Sequence, residues 1–460
     1  GVARLPVKTV QEAQNIVDKI IDYDLNKAAF GYWRKQMVFV ADDGNGEDGF
    51  HTIHQFQADQ LATFAESSAV GIDAEKLFMG SYPKTVKPNG ETVPAMTDDI
   101  VRAFDQGALV INYTGHGSED QWADENVFNT NTINRLDNKI YPFLVTATCE
   151  FGRNDDPLRI SGAEYAVNAA YAGAIGILTS ARDVSAITNF NFNYAFYEAL
   201  FERDGNSFRS LGEVFRHAKN NSTSGVSNRN FSLLADPSIT IALPPDVVRI
   251  TGLKTATGSD TIKALSTVTA RGEIQSFSGE KLTSFNGKLI ATLFDKKTNV
   301  VTIGKNDPPF VYDQWNNALF RGQATVRDGE FILTFMVPKN IAYTVAPGRL
   351  SLYAMDASNH ADASGLMESF QVGESESEVA TESNPPIIRL FIGDTTFVNG
   401  GIANPDTYLV ANLIDDSGIN ISGYGIGNSI IAVLDDDVEA FLLNDYFIAN
   451  LDDATSGWLR

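Results

Sequence analysis

Apolar and polar positions along the chain follow two different periods, and the period changes near residue 245. Before that point, apolar residues recur at helical spacing in segments such as 10–21 and 53–64, and short apolar runs such as Phe143–Ala147 lie between them. Alternating helices and buried strands predict a mostly parallel α/β sheet with helices on both faces. We therefore predict one such domain over residues 1–245.

The rest of the chain lacks helical spacing and consists of short alternating runs separated by turn residues, as at 288–294, 330–337 and 349–355. This pattern predicts an all-β, Ig-like sandwich region over residues 246–375. Residues 376–386 are acidic and rich in serine, which predicts a linker. Residues 387–460 return to strand-like runs and form either a small C-terminal β domain or an extension of the sandwich.

Composition narrows the class of protein. Of the 460 residues, 43% are hydrophobic and 20% are charged, as in globular domains. No stretch approaches the ~20 apolar residues that span a bilayer, so we predict no transmembrane segment. The net charge of −23 argues against nucleic acid or an anionic membrane as a direct partner. Because the chain begins with Gly1 rather than Met, we expect a fragment or processed product, with any targeting signal upstream.

Cys149 is the only cysteine, so neither an intrachain disulfide nor a cysteine zinc site can form. It directly follows a strand-like run, and a second such run, 108–113, is followed by a small loop in which His116 stands between Gly115 and Gly117. Parallel strands deliver their following residues to one edge of the sheet. If these two strands are neighbours, the thiol and the imidazole share one cleft.

A paired thiol and imidazole point to nucleophilic catalysis at a carbonyl. The His116 imidazole either takes the thiol proton or holds the Cys149 thiolate as its imidazolium partner, and it then protonates the leaving amine. The amides of Gly117 and Cys149 are candidates for an oxyanion hole. The alternative is an inert buried thiol beside a hydrogen-bonded loop histidine.

These strand ends resemble the motifs of the gingipain-type cysteine peptidases, family C25, which share a clan with the caspases. Residues 112–118 resemble the family's histidine motif and residues 146–152 its cysteine motif. Residues 231–237 resemble its closing signature, with Ala235 where glycine is usual. The resemblance implies a caspase/gingipain-like fold and a cysteine peptidase that requires no cofactor.

The same resemblance implies an acidic residue that orients the imidazole after the first strand. Asp43 is the first choice and Asp42 the alternative. The purely structural interpretation is that this Asp- and Gly-rich segment forms a turn. Calcium is implied by the gingipain resemblance alone, because Asp48 stands where an EF-hand loop requires glycine. His51 and His54 lack a third ligand and predict a helix surface, so no metal site is predicted.

Two further residues are candidates for contact with substrate. Glu150 follows the nucleophile and either lines the cleft or is a solvated residue at a helix start. Trp122 follows the histidine motif and either walls the pocket or packs in the core.

Further segments, 4–7, 352–356, 415–420 and 443–446, resemble the surface sortases of the bacterial type IX secretion system. This resemblance implies cleavage of C-terminal signal domains from secreted proteins and transfer of the new C-terminus to an amine of anionic lipopolysaccharide. It also implies the outer face of the outer membrane and docking to an outer-membrane β-barrel protein of the PorV type. The alternatives are a secreted gingipain-like endopeptidase and a non-catalytic surface binding module.

Overall fold

The computed structural model describes residues 1–25, 30–44, 52–88, 90–256, 258–259, 261–304, 308–375, 384–405, 407–423, 429–435 and 440–459. They form two compact units. The first comprises residues 1–245 together with 299–314, and the second comprises residues 246–298 together with 315–460.

The first unit contains the helices α1 (Val10–Leu25), α2 (Ile53–Glu66), α3 (Pro94–Gln106), α4 (Thr130–Ile133), α5 (Gly162–Asn168), α6 (Ala186–Phe201), α7 (Leu211–Asn221) and α8 (Val226–Asn230). Its strands are β1 (Gln36–Ala41), β2 (Asp73–Phe78), β3 (Thr85–Lys87), β4 (Gly90–Thr92), β5 (Val110–Thr114), β6 (Gln121–Trp122), β7 (Phe128–Asn129), β8 (Phe143–Ala147), β9 (Gly176–Ser180), β10 (Arg203–Asp204), β11 (Ser207–Phe208) and β12 (Phe231–Leu234).

A six-stranded sheet in the order β12-β9-β8-β5-β1-β2 forms the centre of this unit. All its pairings are parallel except that of β12 with β9. Along β1, Phe39 belongs to one apolar cluster and Val40 to another, so side chains on both faces of the sheet are covered. Burial on both faces explains why these strands are continuous apolar runs. The predicted α/β fold class is confirmed.

Helix α3 begins at Pro94, and the Thr97 amide donates to the Val93 carbonyl. Proline suits the first turn because its missing N–H would have no partner inside the helix there.

The second unit is all-β, as predicted. The strands after residue 245 are β13 (Asp246–Thr255), β14 (Thr261–Ala264), β15 (Thr267–Gln275), β16 (Gly287–Phe294), β17 (Thr298–Val301), β18 (Val311–Gln314), β19 (Ala318–Arg327), β20 (Glu330–Met336), β21 (Ala346–Pro347), β22 (Arg349–Asp356), β23 (Ala361–Met367), β24 (Gln371–Ser375), β25 (Ile387–Ile392), β26 (Leu409–Ile414), β27 (Ile431–Ala432), β28 (Phe441–Leu442), β29 (Phe447–Asn450) and β30 (Asp453–Leu459). Of these, β17 and β18 pair with each other and, apart from Thr298, belong to the first unit.

Seven strands close into a barrel in the order β13-β15-β20-β19-β16-β22-β23. This differs from a sandwich of two separate sheets because β13 pairs with β15 and also, over two residues, with β23. A further sheet, β25-β26-β30-β29, shares the barrel's apolar core through residues such as Leu413 and Phe447. The segment 387–460 therefore extends the β region, whereas most of the predicted linker, 376–383, lies outside the described residues.

Residues 299–314 correct the predicted boundary of the first domain. Tyr312 is buried in the core of the first unit, with its ring 4.6 Å from that of Phe78. The Lys76 ammonium donates to the carbonyl of Asp313 at 2.6 Å. In the part of the chain that the structure describes, no helix is long and apolar enough to span a membrane.

Candidate active site

Strand register brings the two candidate catalytic residues to one level of the sheet. β5 and β8 are parallel neighbours in which Thr114 lies opposite Ala147. His116 lies two residues after Thr114, and Cys149 lies two residues after Ala147. Neighbouring strands lie about 4.8 Å apart. The cysteine and the histidine therefore leave the same edge of the sheet side by side.

The main chain of His116 is held at both of its polar groups. Its N–H donates to Oδ2 of the buried Asp42 at 2.9 Å, and its carbonyl accepts from the Tyr113 hydroxyl at 2.6 Å. A Cβ at Gly115 would stand 2.4 Å from Cβ of Asp42 and 2.5 Å from that hydroxyl. Glycine before the histidine is thus required by close packing.

Asp42 belongs to an acidic group that surrounds one ammonium. Burial raises the pKa of Asp42 to about 6, and the charges of Asp43 and Glu125 raise it while the His116 N–H lowers it. Lys84 Nζ lies 2.9 Å from Asp43 Oδ2 and 2.7 Å from Glu125 Oε1. Burial alone would lower the pKa of Lys84, but these two carboxylates outweigh it and hold the pKa above its usual range.

This group is the cluster of described residues nearest in character to a calcium site. Carboxylate oxygens of Asp42, Asp43 and Glu125 lie within 4.8 Å of one another. Lys84 already supplies a positive charge to two of them, so these side chains do not fit a calcium ion while Lys84 keeps its place. Asp48, which breaks the EF-hand pattern, lies outside the described residues, as do all of residues 45–51.

The Cys149 thiol is half-buried and lies 3.6 Å from the carbonyl oxygen of Val184. Burial raises its pKa, and the charges of Asp183 and Glu150 raise it further, against a lowering contribution from the Val184 backbone. The thiol is therefore protonated at neutral pH. Of the two roles considered for His116, removal of the proton during attack fits this thiol better than a preformed ion pair.

The backbone of Gly117 lies beside the nucleophile's strand. Gly117 pairs with Trp122 in a β-bridge, and the two backbone hydrogen bonds of that bridge, of 2.9 and 3.0 Å, are made by the residues on either side of the pair. The Gly117 N–H therefore points away from Trp122. A Cβ on Gly117 would stand 2.4 Å from Oγ1 of Thr148, the residue before Cys149. This placement suits the oxyanion hole predicted from Gly117 and Cys149, which stays a prediction.

Comparison with known sequences decides the family. The pattern of peptidase family C25 matches residues 1–242, just over half of the chain. This chain belongs to peptidase family C25. The resemblance to gingipain-type cysteine peptidases is confirmed.

Several C25 peptidases are similar to the chain over part of its length. Gingipain R2 from Porphyromonas gingivalis is 25% identical over 153 residues, which are 33% of this chain and 19% of that protein. A crystal structure of dimeric latent PorU from the same species is 30% identical, covering 56% of this chain and 26% of that one with a TM-score of 0.34. The Arg-specific proteinase gingipain R is 19% identical, covering 80% and 74% with a TM-score of 0.43.

The two predicted substrate contacts of this C25 peptidase differ in outcome. Trp122 is fully buried, stacks on Tyr113 at 4.6 Å and packs against Phe128, so the structure corrects the prediction that it walls the pocket. Glu150 is partly exposed, lies 3.5 Å from Arg153 and has a φ of 55°. It remains a candidate for substrate contact.

His54 lies near the start of α2, and the sequence did not mark it as part of the site. Its ring meets that of His116 edge to face, with centroids 5.0 Å apart, and only 7% of the residue is exposed. His54 is therefore buried, whereas a position on the helix surface had been expected. The available signal was the place of α2 directly after the β1 loop, at the edge that carries His116.

An ionic contact that joins the two catalytic loops was also missed. Glu119 follows the histidine loop, and its carboxylate lies 2.5 Å from Nη1 of Arg153, which follows the nucleophile. Arg159 contacts the same carboxylate. Neither motif showed this pairing because its members lie 34 residues apart.

Proposed function

We propose that this C25 peptidase is a surface sortase that cleaves the C-terminal signal domains of secreted proteins. It would transfer the new C-terminus to an amine of anionic lipopolysaccharide. The observation that carries the catalytic part is the register that sets Cys149 and His116 on neighbouring strands at one level.

The reaction proceeds through a thioester. His116 takes the thiol proton as Cys149 Sγ bonds to the peptide carbonyl carbon. The C–N bond then breaks, and the imidazolium returns the proton to the leaving amine. The acceptor amine then attacks the thioester and gives a proton to His116, the S–C bond breaks as the new amide forms, and the imidazolium protonates the departing Cys149 thiolate. Amides of Gly117 and Cys149 would stabilise the oxyanion of each step.

Asp42 and Asp43 are the candidates for orienting the base. Asp42 fixes the His116 main chain through its N–H, and Asp43 lies next to it in the same acidic group. We propose that Asp43 orients the imidazole, as the family resemblance implies. No metal takes part in these steps.

The choice of transfer over hydrolysis rests on the segments that resemble type IX surface sortases. The same resemblance supports a place on the outer face of the outer membrane and docking to a PorV-type β-barrel protein. A gingipain-like endopeptidase would use the same thiol and base but would give up its acyl group to water.

Incubation of the chain with a secreted protein that carries its C-terminal signal domain, and with candidate amines, tests the proposal. Mass spectrometry should find the signal domain removed and the amine attached, whereas addition of water would indicate an endopeptidase. Cys149→Ala should abolish processing, and His116→Ala should slow it by about a hundredfold or more. His217→Ala, a histidine on α7, is the matched control and should process normally. Processing by Cys149→Ala would end the proposal.

A further inference from the structure

Ser180 holds both ends of the short turn that carries the nucleophile. It is the last residue of β9 and is fully buried. Its hydroxyl donates to the carbonyl oxygen of Thr148, the residue before Cys149, at 2.7 Å. Its own carbonyl oxygen accepts from the N–H of Gly152, three residues after Cys149, at 2.9 Å. The steps proposed above give Ser180 no role.

The Ser180 hydroxyl extends the contact between β8 and β9 past the end of their backbone ladder. The last paired residues of that ladder are Thr146 and Thr179. One residue further on, the hydroxyl oxygen lies 2.7 Å from the Thr148 carbonyl and 2.8 Å from the Arg182 carbonyl. Its single hydrogen therefore has two acceptors, and the nearer one belongs to the peptide that joins Thr148 to the nucleophile.

This contact fixes the direction of the Cys149 N–H. The peptide between Thr148 and Cys149 is trans, so its C=O and its N–H point to opposite sides of the strand. The C=O points towards Ser180 on β9, and β5 is the neighbour on the other side of β8. The Cys149 N–H therefore points to the side of β5, which leads into Gly117, the second donor of the predicted oxyanion hole.

The same contact strengthens the Cys149 N–H as a donor. A hydrogen bond accepted by a peptide carbonyl polarises the whole peptide group, and linked hydrogen bonds reinforce one another in a buried site. Thr148 and Ser180 are both fully buried, so bulk water does not compete for this carbonyl. Ser180 thus acts on the direction of the N–H and on its polarity.

The turn between the two contacts contains a residue in an unfavourable conformation. Glu150 has a φ of 55°, in the left-handed region that residues other than glycine adopt at a cost. Such a conformation persists where the surrounding structure determines it. The contacts of Ser180 with Thr148 and Gly152, one on each side of Glu150, supply part of that constraint.

We propose that Ser180 is a positioning residue of the oxyanion hole, which acts by holding the peptide bond that supplies the Cys149 N–H. This role rests on the proposed acyl transfer, because the negative oxygen forms when Cys149 Sγ bonds to the carbonyl carbon. It serves transfer and hydrolysis equally, since acylation and deacylation both pass through that oxygen. Ser180 is fully buried, so it acts through the peptide and not by contact with substrate.

Ser180→Ala tests the proposal in cleavage of a peptide that spans the signal-domain junction of a secreted protein. The kcat should fall about tenfold while KM changes less than about twofold, because the oxyanion exists in the reaction steps and not in the bound substrate. Ser180→Thr keeps the hydroxyl and should stay within about threefold of the native kcat. A Ser180→Thr chain as slow as Ser180→Ala would show that packing decides, and it would overturn the proposal.

Two further measurements separate the oxyanion hole from a general loosening of the site. Alkylation of Cys149 by iodoacetamide forms no oxyanion, so Ser180→Ala should react within about twofold of the native rate. A peptide aldehyde with the acyl-side sequence bonds to Sγ through its carbonyl carbon, and the thiol proton passes to the aldehyde oxygen, which then lies in the hole.

Ser180→Ala should bind this aldehyde about tenfold more weakly than the native chain does, and it should bind the matching peptide alcohol equally well. An equal loss for aldehyde and alcohol would assign Ser180 a structural role only. Slow alkylation would lead to the same conclusion, and either result overturns the proposal.

Ser266→Ala is the matched control. Ser266 is 4% exposed, its hydroxyl donates to the Lys263 carbonyl at 2.7 Å, and its own carbonyl accepts from the Val337 N–H at 3.0 Å. It lies in the second unit. This variant loses the same kind of buried hydrogen bond as Ser180→Ala and should keep the native kcat.

Cleavage also distinguishes failure of this proposal from failure of the proposed function. Loss of cleavage in Cys149→Ala together with native kcat in Ser180→Ala overturns the role of Ser180 alone. Addition of water in place of an amine would end the sortase assignment, whereas a tenfold loss in Ser180→Ala would still support Ser180 at the oxyanion hole of an endopeptidase. Cleavage retained by Cys149→Ala would overturn both.

Discussion

Asp42 shows how a single carboxyl group at the site is costly to the folded chain. It is buried beside two other carboxylates, and its pKa is raised from 3.8 to about 6. Folding therefore favours its protonated form. The ionised form destabilises the chain fully above pH 6, and this cost fades as the pH falls through 6 towards 3.8.

Asp42→Asn should stabilise the chain at pH 8, because an amide oxygen still accepts from the His116 N–H but carries no charge. We expect a gain on the order of 1–3 kcal/mol in the free energy of unfolding of the first unit. The gain should disappear near pH 4, as thermal melts at a series of pH values would reveal. Asp137→Asn, at an exposed aspartate, is the control. A difference that grows towards pH 4 would contradict the expectation.

At the scale of single residues, the sequence predicts a site residue when a reactive side chain stands shortly after an apolar strand. Cys149 and His116 were found because a reactive side chain stands at the end of each of two apolar runs. His54 and Lys84 were not, because their partners come from other elements. The sequence left Trp122 open between the pocket wall and the core because its stacking on Tyr113 depends on a hairpin that the sequence does not reveal.

At the scale of elements, the loops after β5 and β8 set the spacing of the base and the nucleophile. The Glu119–Arg153 contact ties them together, and the Gly162 N–H donates to the Glu119 carbonyl at 2.7 Å. A partly exposed ion pair of this kind contributes modestly to stability. Its expected effect is on geometry, to which proton transfer is sensitive.

Glu119→Gln and Arg153→Gln should each lower kcat for peptide cleavage severalfold, with thermal stability changed by less than about 1 kcal/mol. The charge-exchanged pair Glu119→Arg with Arg153→Glu should recover part of the loss, measured alongside alkylation of Cys149. Exchange that performs no better than either single variant would show that the contact does not position the loops.

The sequence predicts the order of helices and strands better than it predicts which strands pair. Alternation gave a parallel sheet and the strands that end at the site, but whether β5 and β8 are neighbours depends on contacts between distant segments. The β region was predicted as strands, whereas closure into a barrel depends on the two-residue pairing of β13 with β23.

At the scale of the whole molecule, the first unit is not a continuous segment. Residues 299–314 read as part of the β region in sequence, yet Tyr312 is 5% exposed and packs in the core of the peptidase unit. Composition and turn signals cannot reveal such a transfer, because a strand pair is locally the same in either unit.

Tyr312→Ala should destabilise the first unit by about 3 kcal/mol, the usual scale for removing a buried aromatic ring. Tyr343→Ala, at a tyrosine that is 59% exposed in the second unit, should change little. Calorimetry of the intact chain would resolve the transitions, and equal melting of both variants would contradict the role assigned to Tyr312.

This insertion has a consequence for synthesis. When residue 245 leaves the ribosome, the peptidase unit still lacks the strand pair that ends at residue 314. At elongation rates of about 5–20 residues per second, the intervening segment takes about 3–14 seconds to emerge. A newly made chain therefore holds Cys149 in an unfinished fold for that interval, and completion of the first unit depends on translation of the region that follows residue 245.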